Sequence, residues 1–473
     1  MRPFEILIAV FLALCFIRPV VWLHHRPRWS DFLPTITFLV TILHCIIEGI
    51  RWQMVPHYGL SIGVFLFSLP QLLQPGERPV QRLWLHITGT VAGIVLTAIS
   101  TALPALLPIP HVLKPTGPYQ PGTFTLMLTD NSRKEIYSGN SGEPRRIMIQ
   151  VWYPTSETPG AKTAPWMEHP EVVAPAISRY LKLPSFFLDH LKYARSDSIP
   201  DAPLASDQPK YPVLLFSHGW NGFRAQNTFQ MQELASHGYI VVGLEHTYGA
   251  VVTVFPDGQI AMNSPTALPS GVKEETYDRA ARVLVDQWAS DLGFVLDTLN
   301  QLNTFDREHG FAKRLDLERV GVFGHSTGGG AAVEFCSRDP RCKAGLGMDA
   351  FLTTLSTSTL ESGVSQPFLF MFSEKWPSLK NTRLLKKIYS NSTGPFQEIT
   401  ISGTKHYDFT DLPMLTPIAS RLGLKGPING ARALRIINDY SLAFFGEYLL
   451  DEPSELLHGP QPEYPELTIL SHT

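Results

Sequence analysis

Apolar residues are distributed along this 473-residue chain in two patterns. Up to about residue 110 they form long runs almost free of charge; beyond it, short apolar stretches alternate with amphipathic ones. Residues 32–50, 55–73 and 83–103 each match the roughly 20 residues that a helix needs to cross a hydrocarbon core about 30 Å thick. An earlier run, Ile6 to Ile17, is interrupted by Arg18 before Val20 to Leu23. No small-residue cleavage site follows it, so it reads as a fourth, marginal span whose Arg18 reaches toward the interface, not as a signal peptide. The pattern therefore predicts a membrane region of three to four transmembrane helices over 1–110. A proline-rich linker is expected over 111–122 and a single catalytic-type domain over 123–473.

In the second region, strand-like stretches recur at Phe124 to Leu128, Ile147 to Tyr153, Val213 to Phe216, Tyr239 to Leu244, Val320 to Phe323, Lys343 to Met348, Pro367 to Phe372 and Phe396 to Ile401. Helical patterns separate several of them, at Thr228 to Ser236 and over 275–301. In the longer one Ala281, Val283, Leu284, Trp288, Leu292, Val295 and Leu296 recur at helical spacing and are expected in the core. Strands alternating with helices predict an α/β domain with a mostly parallel sheet, whose ligands bind at the carboxyl ends of the strands. Residues 166–193 break the alternation with an irregular, aromatic-rich helical stretch. It reads as ordinary packing, with a cap over the site or a contact with lipid as the alternatives.

Charge changes this picture in two ways. The 39 basic and 42 acidic residues nearly cancel, which gives no pull toward nucleic acid. Arg18, Arg26, Arg28, Arg78 and Arg82 fall in loops on one side of the spans, against Arg2, Arg51 and Lys114 on the other. Positive loops face the cytoplasm, so everything after about residue 110 is expected outside it, in a periplasmic or extracellular compartment. Glu48 and His44, near the end of a span, read as groups reaching interfacial water more readily than as a proton pathway. Cys15 and Cys45 lie in apolar runs, whereas Cys336 and Cys342 flank Ser-Arg-Asp-Pro-Arg, and an oxidising compartment would let them pair. Without a nearby histidine they do not complete a zinc site, and no metal is expected.

The chemistry centres on residues 318–330, where the apolar run Val320, Val322, Phe323 enters Gly-His-Ser-Thr-Gly. Gly324 and Gly328 flank Ser326, and small residues there let a strand turn sharply into a helix and lift a serine hydroxyl above the sheet. A serine needs a base and a group to orient that base. His406 follows the last core strand in a glycine-containing loop and is the first choice for the base; His246, at the end of another strand, is a rival. His218 more readily shapes its own turn. Asp349 and Glu374 both sit at strand ends and remain alternatives for the acid. The turn His218-Gly219-Trp220-Asn221-Gly222 can aim the Trp220 amide at a developing oxyanion, with Thr327, just after the serine, as second donor.

Taken together, Phe-Ser-His-Gly-Trp-Asn-Gly-Phe-Arg at 216–224, Glu-His at 245–246, Gly-His-Ser-Thr-Gly-Gly at 324–329, Met-Asp-Ala-Phe at 348–351 and Phe-Ser-Glu at 372–374 resemble the plasma-type platelet-activating-factor acetylhydrolase family. The likeness runs over about residues 115–450 and implies an α/β-hydrolase fold. It also implies a serine esterase, independent of calcium or any cofactor, acting on short or oxidised acyl groups of phospholipid-like esters. By the family's order of residues the acid becomes Asp349, with His406 as base and Trp220 and Thr327 as oxyanion donors. The membrane region and Trp220, where animal members carry a smaller aliphatic residue, depart from the family's pattern. The former resembles bacterial relatives; the latter bears on acyl and headgroup preference. The alternatives are a broad carboxylesterase or polyester hydrolase of the dienelactone-hydrolase or cutinase type, and a non-catalytic membrane sensor on the same fold. Oligomeric state leaves no mark in the sequence.

Overall fold

In the computed structural model, residues 1–473 are described except 23–26, 74–82, 141, 157, 307–308, 377 and 473. The chain divides into two compact units: Met1–Pro110 with Leu415–Ile418, and His111–Met414 with Ala419–Thr473.

The first unit contains helices Pro3–Val21, Leu33–Ile47, Val55–Leu73 and Leu83–Leu106. Among the described residues three stretches, Pro3–Val21, Arg28–Ile47 and Leu83–Leu106, are long and apolar enough to cross a membrane. The run expected to be marginal is thus a continuous helix. Its Arg18 is buried rather than reaching outward, and donates from Nη1 to the Ser30 carbonyl at 2.6 Å. Large apolar side chains such as Ile46, Phe67 and Ile99 point outward. Polar groups are gathered inside: Arg51 holds Glu5 through two bonds of 2.7 and 2.6 Å, and the His44 ring bridges Glu48 at 2.9 Å and Tyr58 at 2.8 Å. Glu48 also accepts from the Phe4 amide at 3.0 Å, so it is tied into the helix packing and not simply solvated. Of the loop arginines used to orient the spans, Arg26, Arg78 and Arg82 lie outside the described residues.

Among the described residues the second unit has twelve strands: β1 Gln120–Lys134, β2 Pro144–Thr155, β3 Ile199–Pro200, β4 Tyr211–Ser217, β5 Ile240–Glu245, β6 Val252–Val254, β7 Ile260–Met262, β8 Leu315–His325, β9 Cys342–Met348, β10 Phe368–Ser373, β11 Phe396–Ile401 and β12 Leu467–His472. Ten of them form one sheet in the order β12-β11-β10-β9-β8-β4-β5-β2-β1-β3, while β6 and β7 form a separate hairpin. The six strands from β11 to β5 are mutually parallel, and β12, β2 and β1 extend the two sides antiparallel.

Parallel strands are covered on both faces and so read as unbroken apolar runs, here Val213-Leu214-Leu215-Phe216. Successive side chains alternate between the faces. Val213 and Leu215 join Leu284 and Trp288 of the helix Glu274–Phe305, whereas Leu214 and Phe216 join Phe229, Ile437 and Phe445 on the other side. Val283, expected in that core, is exposed, because it falls off the buried stripe of its helix. Residues 111–119 are packed, not free: the Thr116 amide donates to Glu233 and the Gly117 amide to Ser236 Oγ, both at 3.0 Å. The aromatic stretch forms a helix, Pro170–Tyr180, and a turn, Asp189–Tyr193; Trp166, Met167 and Leu191 are buried while Tyr180 and Phe186 are exposed. Cys336, near the end of the helix Thr327–Arg338, is disulfide-bonded to Cys342 at the start of β9, with 5.2 Å between Cα atoms.

Candidate active site

Five parallel strands deliver a chemically capable residue at the first position past their carboxyl ends: His218 after β4, His246 after β5, Ser326 after β8, Asp349 after β9 and Glu374 after β10. Ser326 has φ 56° and ψ −117°, a conformation that L-residues avoid and that costs on the order of 1–3 kcal/mol. Its surroundings hold it there. The Ser326 amide donates to the Met348 carbonyl at 2.9 Å, and its own carbonyl accepts from Phe351 at 2.9 Å and Gly330 at 3.1 Å. A side chain at Gly324 would collide with the Gly328 carbonyl, and one at Gly328 with that of Ser217, so both flanking glycines are required by space.

His406 opens a short helical turn, His406–Phe409, after β11. Its Nδ1 lies 2.9 Å from Asp349 Oδ2. Asp349, itself at φ 44°, is fully buried and receives two further bonds from Ser373, the amide to Oδ1 and the hydroxyl to Oδ2, each 2.7 Å. Trp376 stacks on the His406 ring with centroids 4.0 Å apart and planes 9° from parallel. Burial drives both groups toward their uncharged forms, Asp349 well upward and His406 down to about 3, while the two Ser373 donors favour the carboxylate. An imidazole that stays neutral keeps a lone pair with which to accept a proton.

The remaining candidates lie elsewhere. Glu374 accepts from the Gly403 amide at 2.9 Å on the exposed side of the loop, so the carboxylate at the His406 ring is Asp349. His246 is sealed in the interior: Nε2 meets Ser217 Oγ and Nδ1 meets Asp291 Oδ2, both at 2.9 Å, with Trp288 stacked on the ring at 4.3 Å. Asp291 in turn pairs with buried Arg145 at 2.7 Å. This serine, histidine and aspartate mimic a catalytic arrangement but are wholly enclosed, which denies them a substrate. His218 Nε2 accepts from the His246 amide at 3.1 Å, and its Nδ1 donates to the Gly219 carbonyl of its own turn at 2.7 Å.

That turn lies beside the serine. A methyl group placed on Gly219 would come within 3.4 Å of Ser326 Cβ. Among the described residues the amides of Trp220 and Thr327 donate to no protein acceptor, and Thr327 begins the helix Thr327–Arg338, whose N-terminal dipole favours negative charge. Sequence reasoning missed Ser373, Trp376 and Asp411. The last anchors the loop after His406 by accepting from Thr228 and Phe229 amides at 2.9 and 3.0 Å and from Trp166 Nε1 at 2.8 Å. Burial pushes its carboxyl up to about 7. No local signal marks these residues, since each matters only through a partner distant in the chain.

Similarity to known proteins identifies the family. Residues 110–455 match the family model described as platelet-activating factor acetylhydrolase, isoform II. The platelet-activating factor acetylhydrolase of Gallus gallus is 30% identical over 344 residues, covering 67% of this chain and 80% of that protein. That of Cavia porcellus is 28% identical over 384 residues, covering 75% and 83%. A ferulic acid esterase from Streptomyces cinnamoneus superposes with a TM-score of 0.62 at 27% identity, covering 76% of this chain and 99% of its own. On this evidence the chain belongs to the platelet-activating factor acetylhydrolase family and is a carboxylic ester hydrolase.

Proposed function

We propose that the protein hydrolyses short or oxidised acyl esters of phospholipid-like substrates through a Ser326–His406–Asp349 triad. The observation that carries this reading is the 2.9 Å contact between His406 Nδ1 and Asp349 Oδ2, at the end of the strand that follows the nucleophile helix. His406 Nε2 takes the Ser326 proton as Oγ attacks the ester carbonyl carbon, and Asp349 stabilises the resulting imidazolium. The carbonyl π electrons pass to oxygen, where the Trp220 and Thr327 amides stabilise the oxyanion. Collapse breaks the bond to the alcohol oxygen, which leaves with the proton from His406. Water, deprotonated by the same ring, then cleaves the acyl-serine and restores the hydroxyl.

The names of the relatives support an acetyl ester resembling platelet-activating factor as substrate class, whereas the ferulic acid esterase neighbour favours a broader carboxylesterase as second reading. A panel decides between them. On the first reading, turnover of a 2-acetyl phospholipid exceeds that of its long-chain counterpart by at least about tenfold and exceeds that of a feruloyl ester or polyester film; such a ratio corresponds to about 1.4 kcal/mol of differential transition-state binding. Preference for the feruloyl ester or the film would overturn it.

The apolar helices of residues 1–110 would anchor the enzyme in a bilayer, with the catalytic unit on the extracytoplasmic side. A disulfide in that unit fits an oxidising compartment. Protease added to cells stripped of any outer envelope, with the cytoplasmic membrane intact, should then digest the catalytic unit; protection until that membrane is permeabilised would place it in the cytoplasm instead.

A further inference from the structure

His325, immediately before the nucleophile, is not one of the groups that perform the chemistry above, yet it contacts two loops that do. Its ring is buried, with Nε2 3.0 Å from the His406 carbonyl oxygen and Nδ1 3.2 Å from Gln226 Nε2. A carbonyl only accepts, so Nε2 is the protonated nitrogen and Nδ1 accepts from the Gln226 amide. Gln226 Oε1 then accepts from the Gly219 amide at 3.3 Å, in the turn that carries Trp220. The same glutamine accepts from the Asp411 amide through its carbonyl at 3.0 Å, and its neighbour Asn227 donates to the Phe409 carbonyl at 2.8 Å.

We infer that His325 is a positioning residue: the hydrogen-bonded chain from the His406 carbonyl through the His325 ring and the Gln226 amide to the Gly219 amide sets the base loop and the oxyanion turn in register with Ser326. The inference rests on the triad reading. The chain works only while the His325 ring is neutral, and burial together with the neighbouring His406 holds its protonation well below the ordinary histidine range. With both loops referenced to the residue bonded covalently to the nucleophile, a shift of the strand end carries base and oxyanion donors along with it. Misplacement of a reacting group by about 1 Å costs about 100-fold in rate, which is the scale at stake.

The full-length protein, assayed on p-nitrophenyl acetate, provides the test. His325→Ala removes both links and should lower kcat about 30- to 100-fold with KM within about threefold, while an organophosphate probe still labels Ser326 to full stoichiometry, only more slowly. His325→Gln places an amide N–H where Nε2 was and should recover kcat to within about tenfold of the parent. Gln226→Leu breaks the chain from its other end and should give the same kcat loss, so the inference stays testable if His325→Ala does not fold. Parental kcat in His325→Ala or Gln226→Leu, an effect confined to KM, or a glutamine variant as impaired as the alanine one would overturn it. Failure of the parent enzyme to be labelled at Ser326 would instead remove the triad reading beneath it.

Discussion

Ser326→Ala is expected to lower hydrolysis of short p-nitrophenyl esters and of 2-acetyl phospholipid by at least about 10⁴-fold, with an unchanged melting temperature. The size of the loss follows from the proposed mechanism, in which without Oγ no acyl-enzyme forms and His406 and the proposed oxyanion donors have no attack to assist. Stability should hold, because the strain at φ 56° lies in the backbone and is the same with alanine, and the hydroxyl makes no protein hydrogen bond among the described residues. Active-site titration with an organophosphate separates the outcomes: the parent is labelled and the variant is not. Substantial residual turnover in the purified variant would show that another group attacks the ester.

Asp349→Asn is expected to cost about 10³- to 10⁴-fold in kcat, whereas Glu374→Gln should stay within about threefold of the parent. The buried Asp349 carboxylate accepts from Nδ1–H of His406 and two Ser373 donors; an amide presents N–H groups to these donors and favours the wrong imidazole tautomer. Among the described residues Glu374 bonds a backbone amide, that of Gly403, at the exposed edge of the same loop. Matched kinetic measurements on the two variants provide the check, and a larger loss at Glu374 would assign it the acid's role.

Much of the candidate site is legible in the sequence, for identifiable reasons. The turn at Ser326 is local: strand, flanking glycines and helix occupy one short segment, and sterics dictate them. His406 was legible because it follows the last parallel strand of the sheet, whose edge collects ligands. The acid was not. Asp349 and Glu374 lie at the ends of neighbouring strands, β9 and β10, and periodicity treats them alike; the family likeness favoured Asp349, and the side-chain direction distinguishes them in space. The buried Ser217–His246–Asp291 group illustrates the opposite case, since its residue types suit catalysis and only burial rules them out. Membrane-region packing was legible in its apolar runs but not in its polar interior, where Arg51 and Glu5 pair across 46 positions.

What the amino-acid order determined by itself was everything set by short-range sterics and hydrophobic periodicity: the apolar helices, the parallel strands and the strained serine between its glycines. The tertiary structure decided which distant side chains meet, bringing Asp349, Ser373, Trp376 and His406 together while enclosing His246. The division has a physical cause. Backbone preference and burial act residue by residue along the chain, but a hydrogen bond of 2.9 Å between positions 349 and 406 exists only once a whole sheet has set their separation and orientation.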